Sequence, residues 1–280
     1  MFQTIFAIAT SPRTYPLDIH LLSRLPVAVF WLALHLFQCT LANQYIPTGI
    51  AEDKLNKPER PIPSGRISAK NTKRIRWVVS LCCLVISTMY GRIVTSASAA
   101  LTLFIYVYNE KGLSAHWAAR NFMNGVAFAA FETGTTAVAG IGCGKQVCPG
   151  GSTDAPLDDI AIYAICVSAS AFGTTIFAQD FKDIDGDALI GRRTVPMLMS
   201  DTNGRILLFV LMTSWSSYLV HFWQLGITTA VAYIGCSTLV CTRFLCWRGV
   251  KEDQISFYLY NVSQLGINVV NVVLIRPRFG

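Results

Sequence analysis

The strongest constraint on the fold is a series of eight apolar runs separated by short or polar connections. A bilayer-crossing helix needs ~20 apolar residues, so such a series is typical of an integral membrane protein. Only 14% of the 280 residues are charged, whereas soluble domains average roughly a quarter. The runs are His20–Ile46 and, approximately, 74–90, 93–108, 116–143, 158–178, 204–222, 224–247 and 254–275. We therefore predict an all-α, polytopic membrane helix bundle, a single domain over residues 1–280 in which residues 1–19 are unassigned.

The basic residues are distributed unevenly between the two faces of this predicted bundle. If the polar loop at 47–76 defines side A, alternation of the spans places 109–120, 179–205 and 243–254 on the same side. Side A then carries 17 of the 23 Lys and Arg residues, and the opposite side carries the other 6. Such an excess is expected on the cytosolic side. The distribution of the net charge of +7 indicates membrane topology, with the lipid bilayer as the partner, rather than nucleic-acid binding. The sequence implies no protein partner.

The segment Gln179–Asp187 places four aspartates within eight residues, directly after an apolar run. On a helix, Asp180, Asp183 and Asp187 have i, i+3, i+7 spacing and share one face. Three carboxylates on one face repel each other unless a cation lies between them. Mg²⁺ binds proteins through a few carboxylates together with substrate phosphates. A solvated acidic loop is the alternative, but acidic clusters at the mouth of a membrane bundle are costly and usually functional.

A second group of charged residues lies in the polar loop at 47–76. Glu52 and Asp53 are adjacent, so on a regular helix they diverge by about 100°. Either only one of them is a ligand, or the backbone there is irregular. The neighbouring Lys57 and Arg60 suit an anionic substrate, because Arg and Lys neutralise phosphate oxygens that Mg²⁺ does not. A cytosolic loop with ordinary ion pairs is the alternative.

Together the two clusters resemble the motifs of the UbiA superfamily of intramembrane prenyltransferases. After its second helix that family carries Asn-Asp-x-x-Asp-x-x-x-Asp and then Arg-Pro-[Leu/Ile]-x-Ser-Gly, which Asn43 and the stretch 60–65 match. After its sixth helix it carries Lys-Asp-x-x-Asp-x-x-Gly-Asp, with Gly and Arg-Thr following. The positions matching this second motif are Asp180, Asp183, Gly186, Asp187, Gly191, Arg193 and Thr194. The resemblance covers nearly the whole chain.

The first motif departs from the family pattern. The family's three aspartates align with Gln44, Pro47 and Ala51, so Glu52 and Asp53 must substitute for them if metal binds there. The family also has nine helices, one more than the eight counted here, and the additional helix belongs at the N-terminus. The shifted pattern resembles a fungal branch that includes membrane-bound terpene cyclases, which ionise a prenyl diphosphate and close the carbocation on itself.

The resemblance implies a Mg²⁺-dependent terpene cyclase of terpenoid secondary metabolism that uses farnesyl or geranylgeranyl diphosphate. Prenyl transfer to an aromatic or quinone-type acceptor is the alternative, and a non-catalytic carrier or assembly partner is the third reading. The resemblance also implies a central cavity open to the cytosol and a location in the endoplasmic reticulum. The implied catalytic residues are Asp180, Asp183, Asp187 and Glu52, all four as metal ligands together with Asp53. The implied diphosphate-binding residues are Asn43, Lys57, Arg60, Lys182 and Arg193.

Four further residues are candidates for lining the cavity. Asn121 and Asn124 enter a span directly after a basic residue, and polar side chains inside membrane helices often face a cavity. Capping or interhelical hydrogen bonding is the alternative for both. Phe172 and Phe177 are candidates to stabilise a carbocation through their ring faces, and plain packing is the alternative.

The nine cysteines do not form a disulfide framework, and neither Cys-x-x-Cys nor a zinc-type Cys/His spacing occurs. One pair is an exception. Cys143 and Cys148 lie in a Gly-rich connection opposite side A. If that side is the lumen of the endoplasmic reticulum, a disulfide between them is compatible with the redox conditions.

Overall fold

Apolar runs form helices here because a helix satisfies every backbone polar group within its own segment, as a bilayer requires. The computed structural model describes residues 19–140, 157 and 159–274, and these contain no β-strand. The helices are α1 (Ile19–Tyr45), α2 (Pro47–Asn56), α3 (Ala69–Thr88), α4 (Arg92–Asn109), α5 (Trp117–Gly140), α6 (Asp159–Thr175), α7 (Ile184–Leu189), α8 (Val195–Met199), α9 (Asp201–Phe222), α10 (Ile227–Cys246) and α11 (Val250–Leu274). Two 3₁₀ segments, Leu113–Ala115 and Ile176–Asp183, precede α5 and α7.

The eight predicted runs correspond to the eight long helices of the described chain, α1, α3, α4, α5, α6, α9, α10 and α11. The all-α prediction is therefore confirmed. Four stretches of the described residues are long and apolar enough to cross a membrane by length and composition. They are Arg24–Tyr45, Ala161–Leu189, Asp201–Phe222 and Ile227–Cys246. Helix α3 falls outside this set because basic residues occupy its first two turns, and a crossing by all eight helices stays a prediction.

The polar connection at 47–76 is more helical than predicted. Its first part forms α2, which starts at Pro47, a residue favoured in the first helical turn. The helix ends before Lys57-Pro58, because the residue preceding a proline is disfavoured in the α conformation. The prediction of a loop throughout 47–76 is wrong for this part, and the backbone at Glu52 and Asp53 is regular helix.

Buried side-chain hydrogen bonds join α1 to α3 and α4. In a membrane such bonds hold helices together where the hydrophobic effect between them is weak. They link Trp31 Nε1 to Ser87 Oγ (2.9 Å), His35 Nε2 to Ser98 Oγ (2.8 Å), and Gln38 Nε2 to Ser80 Oγ and Thr102 Oγ1 (both 3.0 Å). These bonds fix the middle of α1, residues 31–38, against α3 and α4.

Close approach of α5 to its neighbours depends on glycine. A Cβ on Gly134 would lie 2.2 Å from Cη2 of the fully buried Trp31. A Cβ on Gly125 would lie 3.1 Å from Cα of Gly173 on α6. Helix α5 therefore packs tightly against both α1 and α6.

Both acidic clusters lie at the same end of the bundle, as the alternation of spans predicts. Lys57 Nζ after α2 is 4.0 Å from Asp183 Oδ1. The Arg193 backbone N–H donates to the Ala115 carbonyl over 3.0 Å, so the connections before α5 and α8 also meet there. Residues 1–18 and the pair Cys143 and Cys148 lie outside the described residues.

Candidate active site

A cavity of about 340 Å³ lies among the ends of α1 and α4, the start of α5, helix α2 and the 3₁₀ segment Ile176–Asp183. Its lining is predominantly polar. The charged lining residues are Glu52, Asp53, Lys57, Arg60, Arg120, Lys182, Asp183 and Arg192. The uncharged polar ones are Asn43, Tyr108, Asn109, Asn124 and Gln179. Two sequence segments more than a hundred residues apart thus contribute to one cavity.

The regular helix α2 directs its two acidic side chains to different partners. Arg60 Nη1 donates to both carboxylate oxygens of Asp53 over 2.8 Å. Glu52 faces Arg192, whose Nη1 lies 3.4 Å from its Oε2. Burial raises the pKa of Glu52 above its ordinary value, and the positive charge of Arg192 acts in the opposite direction.

Three aspartates of the second segment are each paired with a different cation. Asp180 is buried and accepts from Arg120 Nη2 over 3.0 Å. Asp183 lies between Lys182, which donates to it, and the more distant Lys57. The predicted continuous α-helical face is wrong for the first half of the segment, because residues up to Asp183 form a 3₁₀ helix. Asp183 lines the cavity, whereas the buried Asp180 and Asp187 do not.

Arg192 joins the two motif segments. Its Nη1 lies 2.5 Å from Asp187 Oδ1 and 3.4 Å from Glu52 Oε2, 140 positions away in sequence. Gly191 has a φ of 67°, a left-handed conformation that ends α7 and reverses the chain. The turn brings Arg192 to the cavity, since its backbone N–H donates to the Asp187 carbonyl over 2.9 Å.

The neighbouring Arg193, which the family motif indicates, does not line the cavity. Its side chain is exposed, and its backbone pairs with the chain at His116. The family motif indicates only the arginine directly before Thr194. The left-handed turn at Gly191 determines that Arg192, and not Arg193, lines the cavity. Of the five residues expected to bind diphosphate, the other four, Asn43, Lys57, Arg60 and Lys182, do line it.

Sequence reasoning missed Arg120 and Tyr108. Arg120 is buried, and its Nη1 donates to the Tyr108 hydroxyl over 2.8 Å while Nη2 holds Asp180. Its Nε is buried and has no hydrogen-bond partner. A charged residue inside an apolar span was the available signal, because such residues are expensive and commonly functional.

The four remaining candidate residues separate into different environments. Asn124 lines the polar cavity. Asn121 and Phe177 instead line an apolar groove on another side of α5. Phe172 lines neither of the two, and its ring stacks on Phe128 with centroids 4.4 Å apart.

The donor set fits a divalent metal that is shared with a phosphate-bearing ligand. Within the described ranges, no three His, Cys, Asp or Glu side chains lie close enough to hold a metal unaided. The acidic groups are nevertheless all oxygen donors, as Mg²⁺ prefers. Asp187 Oδ2 is buried without a hydrogen-bond partner, which leaves a lone-pair site unused. Mg²⁺ usually completes its coordination with substrate phosphates rather than in an all-protein cage.

Comparisons with known proteins identify the family. The model of the UbiA prenyltransferase family matches residues 1–264. The fumagillin beta-trans-bergamotene synthase of Aspergillus fumigatus is 29% identical over 257 residues, covering 92% of this chain and 82% of that protein. A diterpene cyclase of Hericium erinaceus is 30% identical over 235 residues, covering 83% of this chain and 70% of that protein.

The fold agrees with a solved structure as well. A UbiA homologue from Archaeoglobus fulgidus, bound to GPP and Mg²⁺, superposes with a TM-score of 0.57 at 12% identity. The match covers 97% of this chain and 95% of that one. At this identity the likeness concerns the fold alone, but the family model spans most of the chain. The chain therefore belongs to the UbiA prenyltransferase family.

Proposed function

We propose that this protein is an integral membrane terpene cyclase that ionises a prenyl diphosphate, farnesyl or geranylgeranyl, and closes the resulting carbocation on itself. The observation that carries the proposal is a polar cavity that is lined by residues of both motif segments. It combines carboxylates with an excess of Lys and Arg, as a metal-bound diphosphate requires. The relatives from Aspergillus fumigatus and Hericium erinaceus, both named as a synthase or cyclase of terpenes, favour cyclisation.

The basic residues of the cavity bind the diphosphate in this proposal. Lys57, Arg60, Lys182 and Arg192 approach from two sides, and Asn43 adds an amide. Each of these basic side chains is paired with a carboxylate in the structure. When substrate binds, the basic side chains can pair with the diphosphate and the carboxylates with the metal, so no charge is left uncompensated. Arg192 takes the role that the motif alone assigns to Arg193, because Arg192 is the one at the cavity.

Asp180, Asp183, Asp187, Glu52 and Asp53 are the residues that would hold Mg²⁺. The GPP and Mg²⁺ bound by the Archaeoglobus fulgidus homologue support the use of Mg²⁺ with a prenyl diphosphate. When bound, Mg²⁺ supplies positive charge to the departing diphosphate and so favours its loss. Arg120 contributes by fixing Asp180, whose carboxylate it holds over 3.0 Å.

The bond changes then balance within one substrate. The allylic C–O bond breaks, and its electron pair leaves with the diphosphate, where Lys57, Arg60 and Arg192 stabilise the added charge. An alkene of the same chain attacks the cation and forms the ring. Loss of a proton gives a cyclic hydrocarbon, or capture of water gives an alcohol. The helix bundle limits premature capture by excluding bulk water.

Intermolecular prenyl transfer remains the second candidate, since the matching family is one of prenyltransferases. In that reaction an aromatic or quinone-type acceptor attacks the same cation. We further propose that the motif loops face the cytosol and that the membrane is that of the endoplasmic reticulum. The excess of basic residues on this side supports that orientation.

The test is product analysis with no acceptor present. Membranes carrying the protein are incubated with Mg²⁺ and geranyl, farnesyl or geranylgeranyl diphosphate, and extracts are analysed by gas chromatography–mass spectrometry. A new cyclic hydrocarbon or alcohol from one substrate is expected. Diphosphate consumption that starts only after an aromatic acceptor is added would transfer the assignment to a prenyltransferase. Asp183→Asn is the matched inactive control.

A further inference from the structure

A second and larger cavity lies outside the reaction site. It is an apolar groove of about 810 Å³ between α5, α6, α8 and α9. Helix α5 separates it from the polar cavity: Met123, Asn124 and Ala127 face the reaction site, whereas Asn121 and Ala129 face the groove. The two cavities share no lining residue, so the groove is not an extension of the reaction site.

The groove is suited to hydrocarbon chains. None of its lining residues is charged, and aliphatic and aromatic side chains form most of its wall. At ~30 Å³ for each methylene-sized group, a volume of about 810 Å³ is large enough for at least one long acyl chain. Exposed Trp117 marks the end of the groove that lies on the motif side of the bundle, and Trp is enriched at the membrane–water interface.

The basic side chain of Arg193 belongs to the chain segment beside the Trp117 end of the groove. The backbone of Arg193 pairs with His116, the residue directly before Trp117, and Val195 two residues later lines the groove. The Arg193 side chain is exposed and makes no ion pair with any described residue. His116, also exposed, stacks on Trp117 with ring centroids 5.9 Å apart. An apolar groove thus ends at a positive charge at the level expected for lipid headgroups.

We propose that this groove binds one anionic phospholipid, with its acyl chains between α5 and α9 and its phosphate at Arg193. Charge complementarity selects this occupant, because a single guanidinium and no carboxylates suit one phosphate group. A prenyl diphosphate carries more negative charge than this rim neutralises, and the rim has no acidic group to recruit Mg²⁺. A neutral lipid would leave Arg193 without a partner.

The bound lipid would also support the second motif segment. Phe177 in the groove is two residues before Gln179 of the reaction cavity, and Val195 is three residues after Arg192. Lipid packed against Phe177 and Val195 therefore contacts both ends of the segment that carries the aspartates.

The test is native mass spectrometry of the full-length protein in a neutral detergent, titrated with phosphatidylinositol or with phosphatidylcholine of the same acyl chains. We expect one retained phosphatidylinositol, bound at least about tenfold more tightly than phosphatidylcholine. Arg193→Gln should abolish this preference, whereas Arg74→Gln, an exposed arginine on α3, should leave it intact. Equal retention of the two lipids, or equal losses in the two variants, would overturn the proposal.

Occupancy of the groove itself is tested without a substitution. Cys166 is an exposed thiol that lines the groove, and Cys236 on α10 is an exposed thiol away from it. Saturating phosphatidylinositol should slow maleimide labelling of Cys166 several-fold and leave Cys236 unchanged, as read by peptide mass spectrometry. Equal labelling rates with and without the lipid would place the lipid elsewhere. Ala129→Trp, which fills the groove, should remove the protection, and Leu239→Trp on the exposed face of α10 should not.

Discussion

Removal of Arg192 has a predictable cost, because this arginine neutralises a carboxylate that water does not reach. The Asp187 side chain is fully buried, and Arg192 is 16% exposed. Removing one partner of a buried ion pair costs about 3–5 kcal/mol, since the other charge stays buried and unpaired. Residual hydration of Arg192 places Arg192→Ala near the lower end, at about 3 kcal/mol. Arg193→Ala is the matched control and should cost less than about 0.5 kcal/mol, because its side chain is exposed.

The assay is equilibrium unfolding of the purified protein in detergent and without Mg²⁺, followed by circular dichroism. Combining Arg192→Ala with Asp187→Asn removes the uncompensated charge, so the double variant should be more stable than Arg192→Ala alone. Strictly additive losses, or a loss from Arg192→Ala no larger than that from Arg193→Ala, would refute the assignment of Arg192 as the ion-pair partner of the buried Asp187.

Three further predictions concern activity and packing. Asp183→Asn should reduce turnover at least about 100-fold while the protein stays folded, as measured by product formation and circular dichroism; retained activity would contradict the metal assignment. Gly134→Ala should destabilise the bundle by about 1–3 kcal/mol through overlap with Trp31, whereas Gly235→Ala, with open space around it, should be neutral or stabilising. Glu132→Leu should raise the unfolding midpoint, because both carboxyl oxygens are buried without a hydrogen-bond partner; a lower midpoint would contradict this.

Most of the fold could be predicted from the sequence, because membrane helices are encoded in continuous apolar runs. The length of α1 follows directly from the apolar run at 20–46. The single end shared by both acidic clusters follows from counting spans and from the distribution of Lys and Arg. Helix α2 could not be predicted in this way, since its ten residues carry no apolar periodicity, and its two buried side chains, Glu52 and Asp53, are acidic.

The site could be predicted at the level of segments but not of individual contacts. The motifs identified Glu52 and Asp183, which the cavity brings together. Whether Arg192 or Arg193 lines the cavity depends on the left-handed conformation of Gly191. A sequence motif does not specify how that conformation directs the following side chains. The ion pair between Arg120 and Asp180 spans 60 positions, and such a pairing becomes visible only when α5 is placed beside the 3₁₀ segment.

The central claim is that two distant segments bind one diphosphate. The most direct measurement is a double-mutant cycle on the Mg²⁺-dependent affinity for a non-reacting thiolodiphosphate analogue of the active substrate. The four proteins are the wild type, Glu52→Gln, Asp183→Asn and the double variant, and each Kd is determined by calorimetry. A shared site predicts coupled losses that differ from additivity by more than about 0.5 kcal/mol, since residues that share a ligand interact. Additive losses, or a Kd insensitive to Glu52→Gln, would contradict the account.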